Sequence, residues 1–231
     1  TGAAAMKIGF FVFDGMTQLD FTGPLQVLGR APGAEVSIIA RTMDKVTTDG
    51  ALTLLPTHDL TNAPDLDLVC VPGGFGIVDI ASDTAAIDFI RRQGEQADYV
   101  TSVCTGALIL GAAGLLQGKK ATTHWAYHDL LPLFGAAPVK QRVVRDGNLF
   151  TGGGVTAGID FALTILGEIA GEDHARTVQL GLEYDPHPPC NSGHPDNADP
   201  ATLAAARKRY APAVAKTRAA FTASLSSQTE Q

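Results

Sequence analysis

YVTSVCTGALILGAAGLL, residues 99–116, contains no charged residue and changes character at its sixth position. Tyr99 to Val103 is a short β-favouring run, and Gly106 to Leu116 is rich in Ala and Leu at helical length. The pattern predicts a buried strand that turns abruptly into a helix, with Cys104 at the elbow. A sharp turn of this kind is expected to display the thiol rather than bury it. The helix start would offer it unpaired N–H groups and partial positive charge, which favour thiolate. Ser102 and Gly106 fill the two small positions of a relaxed glycine-x-nucleophile-x-glycine elbow. The competing reading is a packed core thiol, since free cysteine is among the most buried residue types. A hydropathy window could mistake the stretch for a membrane span, but Thr101, Ser102, Thr105 and its glycines fit a buried strand plus helix better.

Working outward, Lys7 to Phe13 reads as a strand, Asp14 to Asp20 as a polar connection, and Thr22-x-Pro24 as a helix start. Val36 to Ala40 and Leu66 to Val71 read as further strands, with a peripheral one over Ala51 to Leu55. Pro72-Gly73-Gly74 then precedes a helix from about Asp83 to Gly94. Continuous apolar strands alternating with helices predict a mainly parallel sheet covered on both faces, with ligands at the carboxyl ends of its strands. Gln18-Leu19-Asp20, Pro72-Gly73-Gly74 and Cys104 should converge at that edge. Downstream, Asp146-Gly147-Asn148 signals a hairpin between Val143 to Arg145 and Leu149 to Thr151. Gly152-Gly153-Gly154 leads into a helix from about Thr156 to Ala170. Asp185 to Pro200 reads as an irregular loop, and Ala201 to Ala223 as a terminal helix with a frayed tail.

With 231 residues, 45% hydrophobic and 18% charged, the chain suits one domain over residues 6–231, Thr1 to Ala5 being an appended remnant before Met6. A net charge of −7 with no Lys/Arg cluster argues against a nucleic-acid surface. Three cysteines without a CxxC pair argue against a disulfide framework and for a reducing cytoplasm. No export signal or membrane segment is expected.

Among the candidate residues, Asp20 is either an acid facing Cys104, its pKa expected to be raised by partial burial beside the thiolate, or a cap for the helix near Thr22. Gly73 and Gly74 are either backbone donors to a reacting centre or plain turn glycines. Thr105 offers a backbone donor and a hydroxyl, or is a first-turn residue. Gly153 either approaches the elbow or serves helix entry. His124 and His128, four apart, suit packing better than a metal, although His124 could serve Cys104 as a base. His187, Cys190 and His194 lack a fourth ligand pattern and read as loop.

Several motifs agree in order and spacing: LDFTGP at 19–24, the PGG turn, SVCTGALILGAAGLL at 102–116, TTHW at 122–125 and TGGGVTAGIDFAL at 151–163. Together they resemble the DJ-1/PfpI superfamily, and within it the isocyanide hydratases. The resemblance implies a flavodoxin-like three-layer α/β sandwich of the class I glutamine amidotransferase-like kind, a homodimer, and no metal or organic cofactor. It also implies that a small isocyanide is hydrated to an N-substituted formamide through a thioimidate on Cys104. In that carry-over Cys104 is the nucleophile and Asp20 the acid that replaces a glutamate of other relatives. Thr105 stands where many relatives have histidine, which weakens a protease assignment. The alternatives are a hydrolase or glyoxalase of the same superfamily, or a ligand- or redox-sensing domain related to AraC-type regulators. The segment from Ala201 is expected to be too short for the helix-turn-helix region of such a regulator.

Overall fold

The computed structural model describes residues 5–229, so Thr1 to Ala4 of the expected remnant lie outside the described residues. The chain runs β1 (Met6–Phe11), α1 (Gln18–Leu28), β2 (Ala34–Ala40), β3 (Val46–Thr47), β4 (Thr53–Leu54), β5 (His58–Asp59) and β6 (Leu68–Val71). Next come α2 (Ile77–Ile80), α3 (Thr84–Gln96), β7 (Tyr99–Val103), α4 (Gly106–Ala112), β8 (Lys120–Ala121) and a 3₁₀ helix (Trp125–Phe134). It ends with β9 (Ala137–Pro138), β10 (Val143–Asp146), β11 (Leu149–Gly152), α5 (Ala157–Ala170), α6 (Glu172–Gly181) and α7 (Pro200–Thr229).

Seven strands form one sheet in the order β10-β11-β7-β6-β1-β2-β5. Every pairing in it is parallel except the β10–β11 hairpin. β6 is buried along its whole length, which is why it reads as an unbroken apolar run. From β1 the chain steps to β2 on one side, whereas from β6 it steps to β7 on the other. Right-handed crossovers therefore place α1 and α3 on opposite faces. α1 packs on α5, while α4 packs with α3, the 3₁₀ helix and α7. The reversal falls between β1 and β6, where a doubly wound sheet opens a crevice at its carboxyl edge.

Several elements differ from expectation, among them the ends of α1 and α7 and the length of α4, which stops at Ala112. α1 begins at Gln18 rather than near Thr22, whose hydroxyl donates back to the Gln18 carbonyl at 3.1 Å. The expected peripheral strand over Ala51 to Leu55 is only β4, paired with β3 outside the main sheet. α6 has no counterpart among the expected elements: it buries Val178, with Ala175 and Leu182 packed against the core beside it among charged residues, and Arg176 ties its first turn to Glu172 at 2.7 Å and Asp173 at 3.0 Å. α7 continues beyond Ala223 to Thr229, anchored by Phe221, which is buried against Phe134 with ring centroids 5.5 Å apart.

Candidate active site

Cys104 sits between β7 and α4 with φ of +55°, a region that costs an L-residue with a side chain about 1 kcal/mol or more. The surrounding backbone holds it there. Its N–H donates to the Gly153 carbonyl at 2.8 Å and its carbonyl accepts the Thr123 hydroxyl at 2.7 Å. Because only glycine occupies this region freely, Cys104→Gly is expected to exceed Cys104→Ala in stability by about 1 kcal/mol. Urea denaturation of the two variants measures the difference, and equal midpoints would mean that the elbow relaxes when the sulfur is gone.

The displayed thiol expected from the elbow is not found: Cys104 is 5% exposed. A resting thiolate is not favoured either. Burial, then the Asp20 carboxylate, push the thiol well above its ordinary range, and the Thr105 N–H and hydroxyl that face the sulfur only partly oppose this. Desolvation outweighs the helix start.

Asp20, in the first turn of α1, is fully buried. Its Oδ2 accepts the Gly73 N–H at 2.9 Å, across 53 residues of sequence. Oδ1 is left without a conventional hydrogen-bond partner. Burial raises the carboxyl to about 7, against the pull of the Gly73 N–H and the Cys104 thiol, and nearby Asp49 adds to the rise. The capping alternative for Asp20 therefore fails. Asp49 takes that position instead, accepting the Gln18 N–H at 3.3 Å and the Thr17 hydroxyl at 2.9 Å.

The Pro72-Gly73-Gly74 turn lies between these groups, but neither glycine presents a free donor. The Gly73 N–H is held by Asp20, and the Gly74 N–H donates to the Thr105 hydroxyl at 3.0 Å. Gly73 and Gly74 thus position the acid and Thr105. Gly153 meets the elbow through its carbonyl, and a Cβ there would find the Arg142 oxygen at 3.5 Å, an ordinary contact. No bond joins His124 to Cys104 among the described residues. The His124 Nδ1 accepts the Ala126 N–H at 3.3 Å, its ring packs 5.0 Å from that of Tyr210, and burial lowers it to about 4. His128 pairs with the Thr122 hydroxyl at 3.0 Å. His187, Cys190 and His194 lie exposed in the loop before α7, and no group of three or more metal-binding side chains occurs among the described residues. No helix among them is long and apolar enough to cross a membrane.

Two supports escaped the sequence reading. Asp49 lies in a turn-like stretch, Thr48-Asp49-Gly50, with no local sign of its reach to the start of α1, 31 residues away. The grip of Thr123 on the Cys104 carbonyl has no local signal at all, since 19 residues separate the two.

The comparisons with known proteins agree with this geometry. The profile of the DJ-1/PfpI family matches residues 6–168. The chain is 58% identical to the isonitrile hydratase of Pseudomonas putida over 91% of its own length and 92% of that protein. It superposes on the crystal structure of a ThiJ/PfpI family protein from Pseudomonas syringae with a TM-score of 0.92 and 42% identity, covering 94% of this chain and 91% of the other. A helix-turn-helix-type transcriptional regulator of Pseudomonas aeruginosa is 29% identical over 78% of the chain, which spans only 51% of that regulator. An acid-bearing first turn, a Pro-Gly-Gly turn and a cysteine elbow meeting at the switch point of a mainly parallel sheet agree with the profile match: the chain belongs to the DJ-1/PfpI family.

Proposed function

We propose that the protein is an isonitrile hydratase, with Cys104 as nucleophile and Asp20 as the proton carrier. The observation that carries this reading is the buried Asp20 carboxyl, raised to about 7 beside a thiol that burial keeps protonated. Near neutral pH such a carboxyl both accepts and returns a proton, which suits general acid–base work. Asp20 takes the thiol proton as sulfur attacks the terminal carbon of R–N≡C. It then returns that proton to the carbon, so that a C–S and a C–H bond form, the S–H bond breaks, and a thioimidate, R–N=CH–S–Cys104, results. Water then adds to the same carbon, with one proton passing through Asp20 to nitrogen. As R–NH–CHO leaves, the C–S bond breaks and the other water proton returns to sulfur. Turnover needs no redox partner. Thr105, with its N–H and hydroxyl against the sulfur, steadies the transient thiolate.

A cysteine hydrolase would draw on His124 as base, but that ring is bonded to its own segment and sits among aromatic side chains. The hydratase reading also carries the cytoplasmic homodimer expected for this family.

Incubating the protein with cyclohexyl isocyanide tests the assignment. The expected result is the N-substituted formamide, with a transient mass increase on the wild type equal to one substrate and none on Cys104→Ala, whose turnover falls by roughly 10³-fold or more. Absence of formamide from the wild type would overturn it.

A further inference from the structure

Two cavities, about 430 and 960 Å³ in volume, open side by side and share Trp125, His128, Lys140 and Arg207 as a common wall. The smaller is lined by Thr123 and Gly153, the residues that hold the Cys104 carbonyl and N–H. The larger runs along α7 past Tyr210 to Arg218. Organic surface is available where the two meet, because the rings of Trp125 and Tyr210 pack edge to face at 5.8 Å.

The charges along this cleft are unusual for a chain of net −7. Arg142 is already engaged by Asp160 and by the Thr156 hydroxyl. Lys140 and Arg207 make no ion pair with a carboxylate among the described residues, and Arg218 meets only the Asp129 carbonyl, at 3.5 Å. Of the acidic residues in the lining, Asp196 lies 3.5 Å from His194, which leaves Asp129 alone against Arg218 in the larger cavity. Unpaired cations thus stand at the junction, beside aromatic surface. Arg207, Tyr210 and the Gly193–Asp196 stretch all lie beyond residues 6–168, the part shared with the family profile. This part of the wall is where a preference narrower than the family as a whole would be built.

We propose that the substituent on the isonitrile nitrogen occupies this cleft and carries a carboxylate, received by Lys140 and Arg207. The inference rests on the hydratase reading and names the substrate class of that same site: small isonitriles bearing a carboxylate.

The test compares 3-isocyanopropanoate with its methyl ester, which keeps the isonitrile and removes the charge. Wild type is expected to favour the carboxylate roughly tenfold in kcat/KM, through KM, with the preference shrinking as salt is added. Lys140→Ala and Arg207→Ala should each reduce that preference about fivefold, through the KM of the acid, while Lys140→Arg retains it. Equal handling of acid and ester by the wild type, or a preference that survives both alanine variants, overturns the inference and leaves the hydratase reading standing. Hydration of neither compound, nor of cyclohexyl isocyanide, overturns the reading itself and the inference with it.

Discussion

Replacing Asp20 by asparagine is expected to strengthen the fold above neutral pH while removing the hydratase activity. The carboxyl titrates near 4 in an unfolded chain and at about 7 when buried beside Cys104. A folded-state pKa raised in this way makes the native state the tighter proton binder, so the contribution to stability is fully present below about pH 4 and is lost as pH rises through 7. At about 1.4 kcal/mol per pH unit, the loss reaches about 4 kcal/mol by mildly alkaline pH. The asparagine oxygen can still accept the Gly73 N–H, and its NH₂ replaces an oxygen that has no conventional partner. An unsatisfied NH₂ costs roughly 1–2 kcal/mol at every pH. The variant should therefore be slightly weaker than wild type near pH 4 and more stable by roughly 2–3 kcal/mol near pH 8. Urea midpoints at several pH values read this directly, and parallel pH profiles for the two proteins would show that Asp20 is not the buried acid. Hydration should fall by roughly 10²–10⁴-fold, the usual worth of a positioned proton carrier. A gain in stability joined to a loss of turnover is the mark of a group kept for chemistry at the expense of the fold.

How much of this was legible depended on whether each signal was local. The strands β1, β6 and β7 and the elbow announce themselves, because burial on both faces of a parallel sheet forces unbroken apolar runs and a nucleophile turn forces small neighbours. The convergence of Asp20, Gly73 and Cys104 follows from the same alternation, since consecutive strands of one sheet end at one edge. Of the site's protonation, the raised Asp20 carboxyl was legible and the protonated thiol was not. An elbow at a helix start argues for thiolate, and only the closed packing, with Cys104 5% exposed and Asp20 fully buried, reverses that by desolvating both acids. The same limit applies to Gly73 and Gly74: a turn reveals donors, but not that Asp20 and Thr105 have already engaged them. α6 was missed because the face it buries is narrow, Val178 with Ala175 and Leu182 among charged and polar neighbours, and α7 was cut short because beyond Phe221 only Leu225, among the described residues, packs against the core in a mostly polar run.

Gly106→Ala is expected to damage the site far more than Gly153→Ala, although both glycines flank the nucleophile's turn. A Cβ on Gly106 would stand 2.1 Å from the Val71 carbonyl oxygen and 2.8 Å from that of Pro72. Both obstacles are backbone, so no side chain can swing aside, and β6 with its Pro-Gly-Gly turn must retreat from the elbow. A Cβ on Gly73 would meet the Thr105 N–H nitrogen and hydroxyl oxygen, each at 2.5 Å, so the two segments touch through hydrogen atoms alone at more than one point. Retreat of the turn carries the Gly73 N–H away from Asp20 and the Gly74 N–H away from Thr105, which misplaces the proton carrier and a group facing the sulfur in one movement. Destabilisation of about 3 kcal/mol or more is expected, with hydration lost even in the fraction that folds. Gly153→Ala, whose Cβ meets nothing closer than 3.5 Å, should stay within about 0.5 kcal/mol of wild type and keep its Cys104 contact, because that contact uses the carbonyl. Unfolding midpoints together with formamide formation separate the two variants. If both behaved alike, the close approach of the Pro-Gly-Gly turn to the elbow could not be what sets the distance between the sulfur and its acid.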